Sequence, residues 1–184
     1  AVDAATVRGY TALHVAALVG QTAVVQQLVD AQTAVSAAAD ADGFTALHLA
    51  AVAGHTAALQ ILLDAHAAVD ALAKNGRTPL HGATAAGHVS AVQVLLNTQA
   101  AANATDTDGL TALHLAAIGG HPTVAKLLLD AKAAVDAADE QGRTALHAAA
   151  DGGDAAVLQV LLDAKAEVNA TDVDGLTALH WAVQ

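Results

Sequence analysis

The sequence predicts an all-α solenoid of stacked helix-turn-helix units joined by hairpin-like loops, on three observations. The first is a repeat. Thr-Ala-Leu-His starts at residues 11, 45, 111, 144 and 177, and Thr-Pro-Leu-His at 78, so successive starts lie 34 residues apart once and 33 apart thereafter. The second is composition: alanine supplies about a quarter of the 184 residues, and only Tyr10, Phe44 and Trp181 are aromatic. Alanine is the strongest helix former, and its small side chain lets helices approach closely, which favours thin helical layers over a sandwich or barrel. The third is element length. The segments between turn signals run to about eight to ten residues, below the ~12–15 that an isolated helix needs. Each must therefore bury its apolar stripe against its neighbours.

Within one unit the elements follow in a fixed order. A glycine two residues before each Thr (Gly9, Gly43, Gly76, Gly109, Gly142, Gly175) marks a loop tip. The Thr is an N-cap, and the next position tolerates proline because the first helical residue needs no N–H bond, which is where Pro79 stands. The first helix carries a pair of small residues, such as Ala50-Ala51, and ends at a second glycine (Gly20, Gly54, Gly87, Gly120, Gly153). A second helix follows, opened by Pro122 in one unit and ending in Leu-Val or Leu-Leu, as in Ala57-Ala58-Leu59-Gln60-Ile61-Leu62-Leu63. The single inserted residue falls most simply within Ser36–Asp40.

This pattern resembles the ankyrin repeat, whose consensus reads Asp-x-x-Gly-x-Thr-Pro-Leu-His-x-Ala-Ala-x-x-Gly-His followed by a second helix ending Leu-Leu. The resemblance covers essentially the whole chain. It implies one array over 1–184 with units at approximately 6–39, 40–72, 73–105, 106–138 and 139–171 and a partial unit at 172–184. Two departures stand out. Where the family usually has glycine after the second helix, this chain has Gln32, His66, Gln99, Lys132 and Lys165. A left-handed conformation there costs each about 1 kcal/mol. The ends also differ: Ala1-Val2-Asp3-Ala4 matches the tail of a unit, and Gln184 follows the first helix of the last one. That arrangement reads as a segment of a longer array, or else as an array with unusual ends.

Charge and residue inventory exclude several functions. Net charge is −11, and the seven basic residues are scattered, so neither a nucleic-acid backbone nor an anionic membrane is an expected partner. There is no cysteine, no apolar run near the ~20 residues of a membrane span and no opening signal segment. A soluble protein is expected, with an intracellular location favoured. Ser36 and Ser90 lie in no nucleophile motif, and no phosphate-binding glycine loop occurs. The acidic pairs Asp40/Asp42, Asp106/Asp108, Asp139/Glu140 and Asp172/Asp174 recur at the repeat period and are expected on exposed turns. The tetrapeptide histidines (His14, His48, His81, His114, His147, His180) recur one per unit, and helix layers ~8–10 Å apart keep them from sharing a metal, whose bonds to imidazole are ~2.1 Å. The resemblance implies that they bond Thr and loop backbone, tying one repeat to the next. No catalysis, cofactor or metal is expected.

The resemblance further implies that a protein or peptide partner lies on a concave face made by the loop tips and the outer ends of the first helices. Carried onto this chain, that face comprises Arg8, Tyr10, Leu18, Val19, Asp42, Phe44, Val52, Lys74, Arg77, Asp108, Leu110, Ile118, Gln141, Arg143 and Leu176. Tyr and Arg are frequent interface anchors, and Tyr10, Phe44, Leu18, Val19 and Val52 together predict an apolar patch. Trp181 is instead expected to cover the end of the stack. The alternative is a repeat scaffold or spacer, engineered or within a larger assembly, with no ligand of its own. Absence of Met and Cys suits design, while the insertion and the uneven repeats suit a natural source.

Overall fold

The computed structural model describes residues 4–7, 9–37 and 42–183 and divides into two compact units, Ala1–Ala101 and Ala102–Gln184. Part of the segment expected to hold the insertion, and Arg8, lie outside the described residues. The first unit contains α1 (Ala12–Val19), α2 (Thr22–Asp30), α3 (Ala46–Ala53), α4 (Thr56–Asp64), α5 (Pro79–Ala85) and α6 (Val89–Asn97). The second contains α7 (Ala112–Ile118), α8 (Pro122–Asp130), α9 (Ala145–Asp151), α10 (Ala155–Asp163) and α11 (Ala178–Trp181). Among the described residues there is no β-strand, and no helix is long and apolar enough to cross a membrane.

Each unit has two helical layers. In the first, α1, α3 and α5 lie side by side, and α2, α4 and α6 back them; in the second, α7, α9 and α11 form one layer and α8 and α10 the other. The small-residue pairs make the close approach possible: Ala50, Ala51, Ala116 and Ala117 are almost wholly buried, with Leu47, Leu59, Leu62 and Leu113, Leu128, Leu161 filling the space between layers.

Every first helix starts with the same device. The N-cap Thr accepts from the backbone N–H of the His three residues on, and that His accepts in return from the Thr backbone N–H. This is a capping box in which imidazole replaces the usual carboxylate or amide. Nδ1 is the acceptor, at 3.1 Å from Thr45 N and 3.2 Å from Thr111 N. The opposite ring atom, Nε2, donates to a carbonyl in the next loop: His48 to Arg77 at 3.1 Å, His114 to Arg143 at 2.9 Å and His147 to Leu176 at 3.1 Å. Only the neutral tautomer with its proton on Nε2 satisfies both bonds. His14 Nε2 donates to Ala37 O at 3.0 Å, within the segment expected to hold the insertion.

Second helices end alike. The backbone N–H of Lys132 reaches Leu129 O and that of Ala133 reaches Leu128 O, both at 2.9 Å, the two bonds of a Schellman motif. The residue at its centre is left-handed in all five copies, from φ 57° at Gln32 to 69° at Lys165, as expected for the places that lack the family's glycine. Ala67, Ala100, Ala133 and Ala166 are buried one residue later; Thr33 takes that place after α2, and its Oγ1 is buried without a partner. Glycine is required at 54 on two counts. Its φ is 73°, and an added Cβ would fall 2.8 Å from the ring of His88, which donates to Val52 O at 3.0 Å.

Side chains in the loops add a ladder that the repeated tetrapeptide does not announce. Asp70 Oδ1 accepts from Ala101 N at 2.9 Å, Asn103 Oδ1 from Ala134 N at 2.7 Å, and Asp136 Oδ1 from Glu167 N at 2.8 Å. At the tips, single backbone bonds link neighbouring loops, Lys74 N to Asp42 O and Val173 N to Gln141 O.

Candidate partner-binding face

The loop tips are built by aspartate. Asp106, Asp139 and Asp172 each accept through Oδ1 from the backbone N–H groups two and four residues on, at 2.8–3.0 Å. The expectation that these residues lie on exposed turns is corrected for these three: they are buried, because the carboxylate is enclosed by the loop whose donors it satisfies. Burial alone would raise the pKa of Asp172. The N–H groups of Leu176 and Asp174 and the Trp181 indole N–H, all donating to the carboxylate, outweigh it and hold the carboxyl below its usual 3.8. Asp42, Asp108 and Asp174 are exposed as expected.

The predicted contact residues divide by depth. Leu18, Val19, Val52 and Ile118 project from the first-helix ends with 42–58% of their surface exposed, and Lys74 and Gln141 are exposed at the tips. Tyr10 and Phe44 are only partly exposed. Each packs edge-on against its capping histidine, with ring centroids 6.1 Å apart for Tyr10–His14 and 5.5 Å for Phe44–His48. Leu110 and Leu176 are half-buried, with backbone N–H groups held by Asp106 and Asp172. These four side chains therefore shape the tips as well as the surface.

Each compact unit has a hollow between its loop tips and first-helix ends. The first, of about 330 Å³, is lined by Phe44 and Val52 on one side and by Arg77, Gly82, Ala85 and Ala86 on the other. The second, of about 270 Å³, has Leu110 and Ile118 on one side and Arg143, Ala148, Asp151 and Gly152 on the other. Phe44, Val52, Arg77, Gly82, Ala85 and Ala86 of the first correspond to Leu110, Ile118, Arg143, Ala148, Asp151 and Gly152 of the second, each 66 positions along and two repeats apart. Hollows form where the residue after the capping histidine is small, Gly82 or Ala148; where it is leucine, as at Leu49 and Leu115, that side chain is buried.

Trp181 corrects a further expectation. It lines the second hollow, where the Arg143 guanidinium lies 5.8 Å from its ring centroid and its Nε1–H donates to Asp172 Oδ2 at 2.9 Å. Arg143 is itself paired with Asp139 at 2.9 Å. The apolar end of the second unit is lined by Leu158, Leu162, Val168 and Leu179 without it. Trp181 and Asp139 are thus parts of the face absent from the predicted contact set. The available signal was the lone tryptophan at a position that holds Ala148 one unit earlier, since the missing methylenes leave room for the indole.

Two family models match the chain. One for ankyrin repeats in three copies covers residues 1–73 and 59–139, and one for ankyrin repeats in many copies covers 128–182. The chain belongs to the ankyrin-repeat family. No curated protein matches it. Ankyrin repeats are generally protein–protein interaction modules and are typically non-enzymatic. In this ankyrin array the repeated side chains are engaged in caps and inter-repeat bonds, and the side chains that do not repeat are those left projecting from the tips and helix ends.

Proposed function

We propose that the chain binds a protein or peptide partner along the face made by its loop tips and first-helix ends, and acts by binding instead of catalysis. The observation that carries this reading is the set of exposed aliphatic side chains Leu18, Val19, Val52 and Ile118, of which Val52 and Ile118 line preformed hollows. Exposed apolar groups gathered at a concavity have no stabilising role in the fold and gain free energy only when covered. The charge of −11 favours partners that are neutral to basic and disfavours nucleic acid and anionic membrane.

The test is a crosslinking pull-down with the full chain against the Leu18→Asp, Val52→Asp, Ile118→Asp triple variant. These residues are exposed, so the melting temperature is expected to stay within a few degrees. Specific partners recovered by the parent chain and lost by the variant support the reading. Recovery unchanged by the three substitutions refutes binding on this face.

A further inference from the structure

The hollow of the second unit has walls of unequal character. Leu110 and Ile118 make one side. Opposite them stands a cation already neutralised: Arg143 is held by the buried carboxylate of Asp139 and lies against Trp181, which Asp172 fixes in turn. That wall is a flat, preorganised surface more than a source of positive charge. An apolar cavity of about 150 Å³ takes up benzene, so a hollow of about 270 Å³ has room for a branched aliphatic or aromatic side chain.

Asp151 stands at the mouth, exposed and in no ion pair among the described residues. It is the last residue of α9, where the helix dipole disfavours negative charge, so the fold gains nothing from a carboxylate there. The corresponding position of the first unit is Ala85, and that of Asp139 is Ala73. The acidic mouth is therefore peculiar to the second hollow.

We propose that this hollow receives an apolar side chain of a partner segment that carries a lysine or arginine beside it, the cation meeting Asp151. The inference rests on the reading that partners bind this face, and it names their chemistry. Charge complementarity supports it at two scales: the uncompensated carboxylate at the mouth and the net charge of −11.

Because Trp181 is the only tryptophan, its emission reports on this hollow alone. The experiment selects random twelve-residue peptides displayed on phage against the full chain, then titrates the enriched peptides while following Trp181 emission. Expected are sequences with an apolar residue beside Lys or Arg and a saturable emission change. Asp151→Asn is expected to weaken binding about three-fold at low salt, and Asp151→Lys to turn the preference towards acidic neighbours; the site is exposed, and neither substitution is expected to lower the melting temperature. Enrichment of acidic neighbours, or a preference that Asp151→Lys does not alter, overturns the proposal. Peptides that bind, are lost with Leu18→Asp or Val52→Asp and leave Trp181 emission unmoved overturn it too, while the broader reading stands. Peptides insensitive to every substitution on the face overturn both.

Discussion

Replacing Lys132 and Lys165 by glycine is expected to stabilise the protein, although each substitution removes a whole side chain. Both residues are left-handed, at φ 67° and 69°, in the Schellman motifs that close α8 and α10. A Cβ in that region costs about 1 kcal/mol. Glycine relieves it but loses more freedom on folding, an offset of about 0.5 kcal/mol. The net gain is about 0.5 kcal/mol per site, or roughly 1 kcal/mol for the pair. A chain of this size shifts by about 2–4 °C per kcal/mol, so the double variant should melt about 2–4 °C higher by far-ultraviolet circular dichroism. Lysine near a helix C-terminus is itself worth a few tenths of a kcal/mol, and Lys132→Ala isolates that loss because alanine keeps the Cβ. The expected order is Gly above Lys and Lys at or above Ala. A Tm that falls for Lys132→Gly, or alanine equal to glycine, would refute the assignment of strain to these residues.

Acid should destabilise the fold through its histidines. Burial is the largest influence on His48 and His114 and lowers both below the usual 6.5, since only the neutral ring fits the cap. The unfolded chain takes up these protons first, so their contribution is complete above about pH 6.5 and is lost as pH falls towards the folded-state values. Urea midpoints should be flat above neutrality and decline below it; a midpoint that holds steady from pH 7.5 to 5.5 contradicts the capping role. The second target is the orphaned hydroxyl. Thr33 Oγ1 and Thr84 Oγ1 are buried with no partner, and substitution by valine removes each at nearly constant volume. Each change should add about 1 kcal/mol to the unfolding free energy, and a loss of stability at either site would show that the hydroxyl is bonded.

The helices were legible because a 33-residue period places caps, small pairs and turn glycines independently of what they touch. Thr45 and Pro79 sit at the helix starts where capping chemistry puts them, and Gln32, His66, Gln99, Lys132 and Lys165 adopt the left-handed conformation that the missing glycine implies. Depth was less legible. Periodicity assigns Asp106, Asp139 and Asp172 to a turn, but whether a turn encloses its aspartate depends on two N–H groups converging on one oxygen, a property of three-dimensional closure. Tyr10 and Phe44 read as free anchors because their edge-on partners, His14 and His48, were already assigned to the framework. Trp181 was misplaced for a related reason: Arg143 is 38 residues away in sequence and meets it only through stacking.

The division of labour along the repeat explains why fold and recognition can vary separately. His14, His48, His114 and His147 each use both ring nitrogens, one on their own helix and one on a carbonyl of the loop that follows, so a change there disturbs two repeats at once. The residue after it has no such obligation. Leucine at 49 and 115 is buried, glycine at 82 and alanine at 148 line hollows, and tryptophan at 181 borders the hollow above alanine. One position, read by its volume, thus decides whether a repeat presents a closed surface or a hollow. The residues three and four further on, Ala85-Ala86 in one unit and Asp151-Gly152 in the other, set the charge at its mouth. Two hollows built in the same register on the same framework consequently differ at the helix end: the first has Ala85 and Ala86 there, the second Asp151 and Gly152, across from Leu110 and Ile118 and beside an arginine paired with Asp139.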